Sequence, residues 1–507
     1  MAQDKQDGQN TVEEEHRVLG NGKGPASAQP LSAKCLIALI AGPALAVLLL
    51  LLPAPDDMKP EAWRLVALAA WMVVWWLGEA VPIPATALLP IPMMPLLGVS
   101  NMKPVAANYG HTLIFLFLGG FLLAAAMQRW GLHKRIALKI VSVVGTGPGG
   151  IIIGFMLATA FLSMWISNTA TTIMMFTVGL SVVEFISQKT PDRTIVRNFG
   201  VALMLGIAYS ASIGGVGTLI GTPPNALLAS FLQSTYGINI DFFTWMKLGV
   251  PVVLVMLPIA WLVLTRLIFP VRELNIGDAS GVIKDELAAL GSMSKGEKAV
   301  AIVFCCAALG WILRKQVASW TGLPINDTAI AIIAATVLFA WPISLKKGHF
   351  VLDWKSAQNI PWGILLLFGG GLALAGGFKS TGLAEWIGGQ VSGFDVSTWA
   401  LVLIVTMSIV YLTEITSNTA STATFLPILG AVAVGLGLDP RMLAIPVAIG
   451  ASMAFMMPVA TPPNAIVFSY EEMKLGDMVK AGFWLNIVAI VVSFGAMYFL
   501  APLVFDL

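Results

Sequence analysis

The chain has 507 residues, of which 57% are apolar and 11% charged, with a formal net charge of +2. Soluble proteins carry about 25% charged residues, so the composition points to a membrane protein and overrides the prior of several soluble domains. The near-neutral balance and the lack of a basic stripe exclude a nucleic-acid binder. Three cysteines (Cys35, Cys305, Cys306) without CxxC spacing give no disulfide framework and are expected to pack as small apolar side chains.

In chain order, residues 1–33 are polar and lack a short apolar core with a cleavage site, which predicts a disordered cytoplasmic tail and not a signal peptide. Apolar segments then stand at about 35–52, 62–82, 83–98, 112–128, 149–185, 199–230, 248–269, 297–313, 326–343, 361–378, 398–430, 442–469 and 481–503. Continuous runs of roughly 20 residues predict an all-α polytopic protein, since a barrel would alternate in segments of about ten.

Two of these segments are too long for one straight crossing and carry almost the same hexapeptide: SNTATT from Ser167 and SNTAST from Ser417, 250 positions apart. GTPPNA from Gly221 and ATPPNA from Ala460 follow them at an offset of 239, and Gly119-Gly120 recurs as Gly369-Gly370 at 250. Three ordered matches at nearly fixed spacing mark an internal duplication. The first repeat with its leading segment spans 34–269, a charged cytoplasmic linker covers 270–296, and the second repeat spans 297–507.

Loop charge sets an orientation. If 149–185 and 398–430 each form a re-entrant hairpin, 21 Lys and Arg fall inside and 8 outside; if both segments cross fully, the split is 14 to 15. The positive-inside rule selects the hairpins. The expected arrangement is about 11 transmembrane helices plus two re-entrant hairpins, N-terminus cytoplasmic and C-terminus extracytoplasmic. Five crossings separate the hairpins, which makes the repeat inverted and points to a secondary transporter with a midplane site.

The paired motifs carry matching chemistry. Pro223-Pro224 and Pro462-Pro463 must break their helices, and the carbonyls so freed need partners, which a desolvated cation can supply. Ser, Asn and Thr offer oxygens to a hard cation, while the N–H groups and dipole at a helix start can hold a carboxylate. No basic residue lies within or immediately beside these strings. A dianion at the midplane would therefore need co-bound cations, which argues for sodium coupling.

Glu79, Asp327 and Glu414 stand in apolar context, where a carboxylate is expensive. Glu414 could support the second hairpin by hydrogen bonding or serve a cation or proton directly. His111 is expected at an interfacial helix start, and Trp71, Trp75 and Trp76 as anchors or packing groups. GGFKST at Gly376 imitates a phosphate loop but has Phe where that motif needs Gly. With no HExxH or GxSxG string, an enzyme is not expected. An anion channel is the rival from another class.

The paired SNT and TPPN strings resemble those of the divalent anion–sodium symporters, over nearly everything after the tail. The resemblance implies a homodimer working by an elevator motion in the plasma membrane (the inner membrane of a bacterium), and no cofactor beyond sodium as coupling ion. It implies a first sodium site at Ser163, Ser167, Asn168 and Gly221, and a second at Thr413, Thr416, Asn418 and Ala460. Substrate would meet Asn168, Thr169, Thr222, Pro223, Asn418, Thr419, Thr461 and Pro462. Ile166 stands where the second copy has Thr416, so the two sodium sites cannot be chemically identical. The expected substrates are C4-dicarboxylates such as succinate, fumarate or malate, with citrate or sulfate left open.

Overall fold

The computed structural model describes residues 33–144, 147–271, 279–393 and 397–507. The expected tail lies outside the described residues except for Ala33, as do residues 272–278 of the expected linker. Among the described residues, regular structure is helical apart from one short antiparallel pair, Pro342–Ser344 with His349–Phe350.

Among the described residues, eight helices are long and apolar enough to cross a bilayer: Ala33–Leu51, Met102–Arg129, Asn168–Lys189, Arg193–Gly215, Phe242–Ile268, Trp362–Thr381, Asn418–Gly435 and Leu475–Phe505. Lys295–Ile312 and Arg314–Thr321, bent by 80° to each other, make a ninth if taken as one span. The remaining apolar segments are shorter helices, including Pro148–Ser163, Asp327–Ala340, Thr398–Leu412 and Arg441–Ala451. The 83–98 segment, expected as one crossing, is divided into Ile83–Thr86 and Pro90–Leu96. Prolines 82, 84, 90, 92 and 95 account for this, since each removes a helical donor.

Four further breaks fall where the motifs stand. Pro148–Ser163 ends before Asn168–Lys189, and Thr398–Leu412 before Asn418–Gly435; Arg193–Gly215 is followed by Pro223–Phe231, and Arg441–Ala451 by Pro462–Phe468. The broken helices of the two halves interlock. Arg193–Gly215 packs on Pro462–Phe468, while Pro223–Phe231 packs on Asn418–Gly435 and Arg441–Ala451. Close approach needs a missing side chain at Gly214, where a Cβ would lie 2.3 Å from the Ala160 carbonyl oxygen. That contact seats Arg193–Gly215 directly against the first arm of the broken pair.

Apolar packing fixes the rest. Trp165, next to the first SNT string, stacks on Phe242 and Trp311 with ring centroids 6.0 and 6.4 Å away, and Phe242 lies 4.6 Å from Trp311. Trp76 is fully buried and Trp75 donates to Leu39 O at 3.3 Å, so this tryptophan group joins the second helix to the first by packing. Cys305 and Cys306 are exposed on an apolar helix and do not pack inside, correcting the expectation from composition. In a membrane span the outward face is itself apolar, so a small apolar residue carries no inward signal. Helix Ala279–Ala289 occupies much of the expected linker, and Lys134 Nζ meets its Glu286 at 2.9 Å. Lys379 of the phosphate-loop imitation lies near the end of helix Trp362–Thr381 and donates to Thr235 O at 2.7 Å.

Candidate functional site

Each SNT string opens a helix. Ser167 is the N-cap of Asn168–Lys189, its Oγ accepting from Ala170 N at 3.3 Å, and Ser417 takes the same place before Asn418–Gly435 without a side-chain cap bond. The first N–H groups of a helix have no intrahelical partner, so those that the capping side chain does not take are available to a ligand. Thr222 and Thr461 are the N-caps before the proline pairs, and Thr461 Oγ1 accepts from Asn464 N at 3.2 Å.

Behind each tip lies a cluster of oxygens. In the first half, buried Ser163 Oγ is bonded to the Asn168 side chain and donates to Ala211 O at 2.7 Å. With its amide nitrogen turned toward Ser163, Asn168 also donates to Ala211 O at 3.2 Å and to Gly221 O at 3.3 Å. With its oxygen there instead, Ser163 Oγ, Asn168 Oδ1, Ala211 O and Gly221 O form an all-oxygen set. Hard cations take oxygen ligands. Asn168 can come this near only because residue 215 is glycine; a Cβ there would lie 2.9 Å from Asn168 Oδ1.

The second half repeats the pattern. Thr413 Oγ1 donates to Asn418 Oδ1 at 2.6 Å and to Ala451 O at 3.2 Å. Thr416 does not turn its hydroxyl toward this pair: its Oγ1 bonds Leu412 O at 2.8 Å and Ser421 Oγ at 2.7 Å.

Fourteen of the residues singled out from the sequence meet at one cavity of about 210 Å³: Ser167, Asn168 and Thr169, Gly221, Thr222, Pro223 and Pro224, and the second-half set Ser417, Asn418, Thr419, Ala460, Thr461, Pro462 and Pro463. Its remaining walls include Phe117, Phe121 and Ile364, and none of its lining residues is charged. Ser163, Thr413 and Thr416 are buried behind it. A larger cavity of about 580 Å³ shares Phe121, Ser167, Thr169 and Ile364 with the first, and extends past Gln128, Arg129 and Asn359. It reaches the first SNT string and touches none of the second.

Sequence reasoning missed several contributors. The asparagines of the TPPN strings satisfy carbonyls freed at the breaks. Asn225 Nδ2 donates to Gly215 O, Val216 O and Thr218 O at 3.2, 3.3 and 2.8 Å, and Asn464 Nδ2 to Ala454 O and Met457 O at 3.2 and 3.0 Å. Their repetition in both strings was the available signal. The carbonyls of Ala211 and Ala451 had none, because every residue carries one.

The isolated carboxylates divide. Glu414 accepts from Phe455 N at 2.7 Å, from Met456 N at 3.0 Å, from Met457 N at 3.0 Å and from Asn486 Nδ2 at 2.8 Å. It therefore holds the second break through hydrogen bonds. Asp327 accepts from Phe242 N at 2.9 Å and lies 3.4 Å from Arg314, while Glu79 is exposed and ends its helix in the left-handed conformation at φ 50°. His111 caps helix Thr112–Arg129, accepting from Leu113 N at 3.4 Å.

Residues 33–505 match the family described as "Sodium:sulfate symporter transmembrane region". The sodium-dependent dicarboxylate transporter SdcS of Staphylococcus saprophyticus is 43% identical over 474 residues, covering 92% of this chain and 91% of the relative. SdcS of Staphylococcus aureus is 40% identical over 483 residues, covering 94% and 93%. Among solved structures, the Alcanivorax borkumensis YdaH transporter aligns with TM-score 0.54 at 14% identity, covering 92% of this chain and 96% of that one. Neisseria gonorrhoeae MtrF aligns with TM-score 0.56 at 13% identity, covering 90% and 96%. Those two establish a shared fold. The match over nearly the whole chain, joined to relatives at 40% and 43% identity, places the protein in the sodium:sulfate symporter family.

Proposed function

We propose that the protein is a secondary active transporter that couples inward sodium movement to import of C4-dicarboxylates such as succinate, fumarate or malate. The observation that carries this reading is the single uncharged cavity into which both SNT and both TPP strings project, with an oxygen cluster behind each asparagine. A dianion seated there meets hydroxyls, amides and helix N-terminal N–H groups, and sodium at the oxygen clusters balances its charge. The homologues that bear the name sodium-dependent dicarboxylate transporter favour this substrate over sulfate or citrate.

The finer architecture belongs to the same proposal. The broken pairs near 149–185 and 398–430 are re-entrant hairpins entering from opposite faces, the halves are related by an inverted repeat of 11 crossings in all, and 270–296 is a cytoplasmic linker. The chain works as a homodimer by an elevator motion, in a bacterial inner membrane with its N-terminus cytoplasmic. The larger cavity then opens to the cytoplasm, because Arg129 and Asn359 belong to segments on the positively charged side. Two sodium ions with one dianion move no net charge; a third would add roughly 2.3 kcal/mol per 100 mV.

The test is uptake of labelled succinate into proteoliposomes, with and without a sodium gradient and against competing sulfate and citrate. Sodium-dependent uptake blocked by fumarate and malate supports the reading. Undiminished uptake without sodium sinks the symport, and downhill ionic current without substrate would make the protein a channel.

A further inference from the structure

The two oxygen clusters differ in one buried charge. Glu414 follows Thr413 directly, so its backbone is about 3.8 Å from that of a residue whose hydroxyl helps form the second cluster. Its side chain is 4% exposed, and every partner it has is a donor: three successive backbone N–H groups, of Phe455, Met456 and Met457, and the Asn486 amide. Consecutive N–H groups converging on one anion form a nest, and here the nest is filled by a carboxylate of the same chain. Among the described residues this carboxylate makes no ion pair. Its hydrogen bonds stabilise the ionised form, but they do not cancel the negative charge, and a buried uncompensated charge is costly until a counter-ion comes close.

The first half has no such group. Met164 stands at the matching position, 250 residues earlier, and supplies only its carbonyl, which accepts from Thr218 Oγ1 at 2.5 Å. Neutral groups hold that break: Thr218, the Asn225 amide and the Trp245 indole, which donates to Val216 O at 2.9 Å.

We infer that the Glu414 carboxylate is the fixed charge that sets sodium affinity at the Thr413–Asn418–Ala451 cluster, making the two cation sites unequal, the second the tighter. Glu414 is a positioning residue that also acts through space: it shapes the 455–457 turn and lends the neighbouring cluster a negative field without touching the ion. The inference rests on the sodium-coupled reading above, and it names which half of the site fills first as sodium rises.

The experiment compares wild type, Glu414→Gln and Glu414→Asp by two readouts: sodium dependence of succinate uptake in proteoliposomes, and sodium titration of the melting temperature of purified protein, where binding to the native state raises stability. Glu414→Gln is expected to raise the sodium half-saturation on the order of tenfold in both, while the KM for succinate at saturating sodium stays near wild type. Glu414→Asp keeps the charge and is expected to restore most of the sodium affinity. An unchanged sodium half-saturation in Glu414→Gln overturns the inference. So does equal loss of transport at every sodium concentration in both variants, which would leave only a structural clamp. Should Glu414→Gln not fold, Asn486→Ala takes its place: it keeps the charge but removes one of its donors, and is expected to lower the sodium half-saturation, an unchanged or raised value counting against the inference. Absence of sodium-dependent uptake in wild type would defeat the transport reading, while the melting titration would still test Glu414 by itself.

Discussion

The two halves of the site reach the same arrangement by different means. Each places an asparagine amide against a hydroxyl five residues earlier and a helix carbonyl: Asn168 with Ser163 and Ala211, Asn418 with Thr413 and Ala451. The breaks behind them are held differently. The first relies on glycine and close backbone contact, since a Cβ at Gly221 would lie 2.4 Å from Gly215 O. The second has alanine at the matching position 460 and uses a carboxylate to gather its N–H groups. The two halves share the asparagine, hydroxyl and carbonyl atoms at the cavity while the atoms behind them differ, so substitutions behind the site should separate the halves more clearly than substitutions within it.

The largest effects are expected where the halves agree. Asn168→Ala and Asn418→Ala should each abolish sodium-dependent succinate uptake, because each removes a side chain that joins its oxygen cluster to the shared cavity. Survival of uptake in one variant alone would break the comparison and assign coupling to a single half. Next comes the glycine–alanine pair. Gly221→Ala must displace backbone and is expected to lose most uptake, whereas Ala460→Gly only frees the chain, an effect of about 0.4–1 kcal/mol on stability. Similar uptake in the two variants would show that the first break does not need its close contact.

The TPPN asparagines sharpen the contrast further. Asn225 ties three carbonyls and Asn464 two, all in regions where no helix satisfies them. Replacement by leucine should lower stability by about 1–3 kcal/mol, more at 225 than at 464, read as melting temperature in detergent. The reverse order would mean that the Glu414 nest, and not the asparagine, dominates the second break.

How much of this the sequence disclosed follows from what leaves a mark in it. Breaks were legible because proline pairs inside apolar runs admit no helix, whereas Ser163 and Thr413 were named by the family resemblance, with their shared hydroxyls and 250-residue offset as support. The division of 83–98 was legible in principle from Pro82 and the four prolines within the segment, but an apolar run of near-spanning length outweighed them. Thr416 shows the opposite limit. Its residue type suits a cation ligand, yet a hydroxyl just past the end of a helix can bond the carbonyl four residues back, and here it does so with Leu412 while also meeting Ser421. Side-chain direction of that kind is decided by packing and leaves no pattern in spacing.

The smallest expected effect lies where only one half is exposed. The larger cavity borders the first SNT string, and Arg129 on its wall pairs with Asp353 at 2.6 Å, beyond the reach of anything in the second string. The hydrogen bonds to Ser356, joined by the Arg129 guanidinium, hold the Asp353 carboxyl below its ordinary value against the opposing effect of burial. A depressed carboxylate contributes stability that is present above its unfolded pKa, about 3.9, and is lost as pH falls through the lower folded value. Asp353 is half exposed, with 47% of its side chain accessible, so water screens the pair and the contribution is only about 0.5 kcal/mol at neutral pH. Asp353→Asn should therefore melt slightly below wild type at pH 7, and the two curves should converge as the pH is lowered past 4. A difference that persists undiminished in acid would mean that the helix-capping contact to Ser356 carries the effect, and that the charge at the cavity mouth contributes nothing to holding it.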